Sequence, residues 1–212
     1  MPIRAVIFDF NGTLSQDEPI LCRIYRELFA EYGKPISDLE YYERLSGLAE
    51  HTIAEICVGP GDPRIPSFIR KRIDRYRSTV ADGSTVTEPM REAVRFAADR
   101  ARLAIVSGAA REEIVPVVAA AGLAELFATI VADDDVTRGK PDPESYLLAL
   151  EALGAAGEET LAFEDTEAGV ASAHAAGARV VGLLGTQPRE RLAAAEEVVE
   201  AIDVPLLRRL LA

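Results

Sequence analysis

Five short apolar runs constrain this chain more than any other feature: RAVIFDF (4–10), RLAIVSG (102–108), ATIVADDD (128–135), TLAFEDT (160–166) and ARVVGLLG (178–185). A strand with one wet face alternates apolar and polar residues. These runs do not alternate, so they fit strands buried on both faces, as in a parallel sheet. Between them lie stretches with helical spacing. EPMREAVRFAADR carries Met90, Val94, Ala97 and Ala98, and PESYLLALEALG carries Tyr146, Leu147, Leu150 and Leu153. REEIVPVVAAAG and EAGVASAHAAG each end on a glycine suited to a helix C-terminus. Strand and helix alternate from about residue 84 onward, which predicts a doubly wound α/β core with a parallel sheet.

Residues 15–82 break that alternation. PILCRIYRELFAEYG, SDLEYYERLSG, LAEHTIAEICVG and IPSFIRKRIDRYRSTV all read as helices, with Pro60, Gly61, Pro63 and Pro66 making the turn before the last. The organisation expected is a core of residues 1–14 and 83–212 carrying a helical cap of residues 15–82. The 212-residue length suits one core domain with a small insert. The alanine runs near 119–121 and 193–195 read as helix composition.

With Lys plus Arg at 23 against Asp plus Glu at 35, the net charge of −12 disfavours nucleic acid and anionic membrane as partners. It leaves room for an anionic substrate, because a bound cation inverts the local field. Cys22 and Cys57 form no metal-ligand cluster and read as free thiols in a reducing compartment. No apolar run approaches membrane-span length, so the expected location is the cytoplasm. Nothing in the sequence sets an oligomeric state.

In an open parallel sheet, ligands bind beyond the carboxyl ends of the strands. The first run ends in Asp9, the second in Ser107-Gly108, the third leads through DDDVTRGKP to Lys140, and the fourth ends in Glu164-Asp165. Carboxylates hold Mg²⁺, which prefers oxygen ligands, and a lysine with a hydroxyl grips phosphoryl oxygens. Asp9 is then free to attack phosphorus. Asp133, Asp134 and Asp135 read chiefly as loop and cap chemistry.

Four motifs in this order, DFNGTL (9–14), VSG (106–108), RGKPDPESY (138–146) and FEDTEAGVASAHAAG (163–177), resemble those of haloacid dehalogenase superfamily hydrolases. The resemblance is to the subgroup with a helical cap after the first motif, which includes beta-phosphoglucomutase-like and phosphoglycolate phosphatase-like members. It covers nearly the whole chain. It implies Asp9 as the nucleophile and Mg²⁺ held by Asp9, the backbone carbonyl of Asn11 and Asp165, with Glu164 nearby. It implies Ser107, Gly108 and Lys140 at the phosphoryl group, Thr13 steadying the turn, and His51 of GLAEHT in a segment where relatives place substrate-reading residues. The substrate implied is a small phosphorylated metabolite.

One position departs from the pattern. The family has Asp-x-Asp, whose second aspartate is the general acid and base, and this chain has Asn11. An amide is neither acid nor base at neutral pH, and such help is worth roughly 10²–10⁴-fold. Three explanations stand open: a leaving group that needs no proton, another acid (Asp17 or Glu18 of SQDEP), or an engineered or deamidated site, since Asn-Gly is labile. A slow phosphatase is the expectation. A phosphate-binding or regulatory protein, a phosphomutase and a dehalogenase are the alternatives. Glu50 stands near the place where related mutases carry an arginine for a distal phosphate, with Arg44 a few residues earlier, which weighs against a mutase.

Overall fold

The computed structural model describes residues 2–212. Six parallel strands form one sheet in the order β3-β2-β1-β4-β5-β6. They are β1 (Ala5–Phe8), β2 (Arg102–Val106), β3 (Phe127–Val131), β4 (Thr160–Glu164), β5 (Arg179–Leu183) and β6 (Glu197–Val199). β1 and β4 are buried along their whole length, and β2 at every residue but Arg102. This is what unbroken apolar runs require of central strands. β3, at one edge, buries only Val131 fully.

Both faces of the sheet are covered. Val6, Phe8, Leu103, Ile105, Leu161 and Phe163 share one core cluster with α5 (Glu88–Ala98) and α6 (Arg111–Ala120). Ala5, Ile7, Ala104 and Ala162 face the other cluster with Tyr146 and Leu150 of α7 (Glu144–Leu153) and Val170 of α8 (Glu167–Ala175). The alanines let those helices lie close to the sheet. α7 ends at Gly154 with φ 59° and αL geometry, a helix end that glycine favours.

Between β1 and α5 the chain makes four helices: α1 (Glu18–Glu31), α2 (Asp38–Arg44), α3 (Glu50–Val58) and α4 (Ile65–Val80). Tyr25, Phe29 and Tyr32 meet Phe68 among them with ring centroids 5.6–6.4 Å apart, and Tyr25, Phe29 and Phe68 belong to the same core cluster as Val6 and Phe8. Ser37 starts α2 through a capping box with Glu40. The chain leaves and re-enters the sheet layer side by side. Gln16 N donates to Thr85 O at 2.8 Å, and Ser15 Oγ to Thr85 Oγ1 at 2.7 Å.

Two expectations need correction. Pro66 lies in the first turn of α4 rather than before it, where its missing N–H is unneeded. Ala193–Ala195 lie in turns, not a helix. They lead into β6, which three residues flanked by glutamates did not announce. α9 (Val204–Leu210) closes the chain against α5.

Candidate active site

Outgoing connections diverge between β1 and β4, and the crevice at such a point is where doubly wound sheets take ligands. Asp9 follows β1 directly, its N–H donating to Phe163 O of β4 at 2.9 Å. The chain then doubles back: Gly12 N bonds Ser15 O at 2.8 Å, and Ser15 N bonds Phe10 O at 2.8 Å. Gly12 has φ +73°, and a Cβ there would lie 2.0 Å from Asp165 Oδ2. Only glycine lets the first motif approach Asp165 so closely.

Asp9, Glu164 and Asp165 are buried, and one carboxylate oxygen from each lies within 4.8 Å of the others. Lys140 Nζ donates to Asp9 Oδ1 at 2.6 Å, to Glu164 Oε1 at 2.6 Å and to Val106 O at 3.1 Å. Tyr146 OH donates to the same Glu164 oxygen at 2.6 Å. Burial works against the Lys140 ammonium, but Asp9 and Glu164 outweigh it and its pKa rises. Burial lifts Asp9, with Lys140 opposing. Burial raises Glu164 to about 7 and drives Asp165 well above the carboxylate range, helped by the charges of Asp9 and Glu164. Asp165 Oδ2 and Glu164 Oε2 are buried without hydrogen-bond partners. One lysine does not balance this group; its oxygen-only donors, two of them orphaned, fit a hard divalent cation.

Asn11 Nδ2 donates to Asp17 Oδ2 at 2.9 Å and to Tyr76 OH at 3.2 Å, and Tyr76 OH donates in turn to Asp17. Gly12 N donates to Asp17 Oδ1 at 3.1 Å. Asp17 stands at the N-cap of α1 but makes no capping bond, because both oxygens serve the first motif. The amide's two N–H donors are therefore spent on Asp17 and Tyr76, leaving only Oδ1, an acceptor, for a ligand.

A cavity of about 150 Å³ opens on this group. Asp9, Asn11, Lys140, Asp165, Ser107 and Gly108 form its floor; Tyr41, Leu45, Leu48 and Ile53 of the helical segment form its roof. Ser107 Oγ accepts from Ala109 N at 3.0 Å, a local turn bond that leaves its own proton free. Gln187 ties roof to floor: its Nε2 donates to Ser46 O at 3.2 Å and its Oε1 accepts from Glu167 N at 2.8 Å.

Not every anticipated residue arrives here. Thr13 is buried with its hydroxyl unpartnered, so it fixes no turn by hydrogen bonding and lines no wall. His51 is exposed and borders a separate shallow hollow with Pro63, Ile69 and Ile73; its helix carries it away from the cavity. Arg44 is exposed and outside it as well. Asp134 and Asp135 take the Arg111 and Ala132 N–H groups, as cap chemistry requires, whereas Asp133 lines the cavity.

From the helical segment, Arg72 does reach the cavity wall, buried and paired with Glu50 of α3 and Glu113 of α6. It sits among Arg70, Lys71, Arg75 and Arg77 on one helix, and nothing in that run marks it out. Glu113, in the first turn of α6, also accepts from Ala110 N at 3.1 Å, a capping contact that Glu50 does not make.

Among curated proteins, protein CbbY of Rhodobacter capsulatus is 34% identical over 194 residues, covering 85% of either chain. A phosphorylated carbohydrates phosphatase of Thermotoga maritima is 32% identical over 187 residues, covering 86% of either chain. Among solved structures, an aspartate-to-asparagine variant of CbbY from Rhodobacter sphaeroides with xylulose-1,5-bisphosphate superposes with a TM-score of 0.82 at 29% identity, covering 94% of this chain and 95% of that one. The family model for haloacid dehalogenase-like hydrolases matches residues 6–183, the span that runs from the strand before Asp9 through β5, and the chain belongs to that family.

Proposed function

We propose that the protein is a Mg²⁺-dependent phosphomonoesterase acting on a small phosphorylated sugar or related metabolite through an aspartyl phosphate on Asp9. The observation that carries this is Lys140 bridging Asp9 and Glu164 at 2.6 Å each, beside the orphaned oxygen of Asp165. Relatives named as phosphatases of phosphorylated carbohydrates support the substrate class.

Asp9, Asp165 and the carbonyl of Asn11 would hold Mg²⁺, with Glu164 beside them; the ion would supply positive charge to phosphoryl oxygens. Lys140 and the Ser107 hydroxyl bind the same group, so that Asp9 meets a dianion whose charge is compensated. Asp9 Oδ attacks phosphorus in line, the ester oxygen leaves, and water then frees phosphate from Asp9. Residues 15–82 act as a cap: Tyr41, Leu45, Leu48 and Ile53 shield the reaction from water and read the alcohol portion.

Release of phosphate from a panel of sugar phosphates with Mg²⁺, for the unaltered chain and for Asp9→Asn, tests this reading. The variant should lose at least about 10³-fold. Equal, Mg²⁺-independent rates would favour a binding protein that does not turn over.

A further inference from the structure

Asn11 leaves the reaction without a proton donor at its usual place, and two nearby carboxyls stand in contention. Asp17 is ruled out by its bonds: Gly12 N occupies one oxygen, Asn11 and Tyr76 the other, and it does not line the cavity. Glu18 is the opposite case. It opens α1, is 8% exposed, and borders the same cavity as Asp9 and Lys140. Tyr41 OH donates to its Oε1 at 3.0 Å and fixes the carboxyl from the roof.

We propose that Glu18 is the general acid and base of this hydrolase, standing in for the aspartate that position 11 lacks; the proposal rests on the phosphatase reading above. In the first half, Asp9 forms a bond to phosphorus, the P–O(ester) bond breaks, and the leaving alkoxide takes the Glu18 proton to become the free alcohol. In the second half, the Glu18 carboxylate takes a proton from water as that water bonds to phosphorus and the bond to Asp9 breaks. Phosphate leaves, and Glu18 is again protonated.

The environment suits the task. Burial, then the charge of Asp17 beside it, hold Glu18 at about 7, with Tyr41 opposing. Both protonation states are therefore populated near neutral pH, as a residue that must donate and then accept requires. The titratable groups facing it are Asp17 and Cys22 on its own segment, Tyr41 and Tyr42 of α2, and Asp9 and Asp165 from the sheet edge.

The test compares the unaltered chain, Glu18→Gln, Asn11→Asp and the double variant, each with Mg²⁺, on p-nitrophenyl phosphate and on ribose 5-phosphate, fructose 1-phosphate and glucose 6-phosphate. Glu18→Gln should cut kcat on the sugar phosphates by about 10²-fold or more with KM within about threefold. It should slow the p-nitrophenol burst far less, because that leaving group needs no proton. Adding Asn11→Asp should return at least about tenfold of the lost rate. Asn11→Asp alone should gain less than about tenfold, since an acid is already in place; this arm holds even if Glu18→Gln folds poorly. An unchanged kcat in Glu18→Gln, an effect on KM alone, no rescue in the double variant, or a gain of about 10²-fold in Asn11→Asp alone each overturns the role of Glu18 while leaving the phosphatase reading intact. No turnover of any substrate by the unaltered chain overturns both.

Discussion

Replacing buried Arg72 by methionine should destabilise the protein more than removing any single exposed charge, and increasingly so as pH rises. Arg72 is 6% exposed as a side chain and reaches Glu50 at 13% and Glu113 at 0%. Methionine fills much of the volume but leaves two carboxylates facing each other out of water. Breaking a buried pair from one side costs roughly 3–5 kcal/mol. At about 3 °C per kcal/mol for a chain of this size, that is roughly 9–15 °C in Tm. Proton uptake softens the cost: burial already holds Glu113 at about 7 against the pull of Arg72, and without the guanidinium its pKa rises further. The loss should therefore be small at pH 5.5 and full at pH 8. Adding Glu113→Gln should recover part of it at pH 8, since one stranded charge is gone. Scanning calorimetry at both pH values reads this directly. A fall of less than about 2 °C at pH 8, or a loss that does not grow with pH, would refute the reasoning.

Other outcomes follow from the same geometry. Gly12→Ala should abolish sugar-phosphate hydrolysis while costing roughly 1–3 kcal/mol of stability, because it strains a residue at φ +73° and drives a methyl into Asp165; retained kcat would contradict the close approach. In EDTA, Tm should fall from pH 5 to pH 8. Burial raises Asp17 to about 6 and Glu18, Glu113 and Glu164 to about 7, so their contribution is whole only below the unfolded values, 3.8 for Asp17 and 4.5 for the glutamates, and is lost as pH rises to the folded ones; a flat profile would count against it. Mg²⁺ at a hundredfold its Kd should add about 2.7 kcal/mol, or about 8 °C, and Asp165→Ala should remove that gain. A thermal shift that survives Asp165→Ala would place the ion elsewhere.

The sheet was legible because burial on both faces forbids alternation. The runs ending at Asp9, Ser107 and Glu164 therefore named three strands and their chemistry together. β6 was not legible: an edge strand of three residues, half-buried throughout, carries too few apolar positions to stand out. The floor of the cavity came from strand ends, whose positions the sheet dictates. The roof came from helices whose facing depends on tertiary packing, so no local signal says that His51 borders a separate hollow while Arg72 lines the cavity. Periodicity says that a helix has a buried face, not which cation on it meets Glu50 and Glu113. Gln187, joining Ser46 to Glu167 from a loop, had no local signal at all.

The central claim is that Asp9 bonds to phosphorus. Acid-quenching the protein during turnover of a sugar phosphate with Mg²⁺, followed by peptide mass spectrometry, reads that bond. One phosphoryl group should appear on the peptide containing Asp9, and it should vanish in EDTA and in Asp9→Asn. Turnover with that peptide unmodified, or with the label on another residue, would contradict the account.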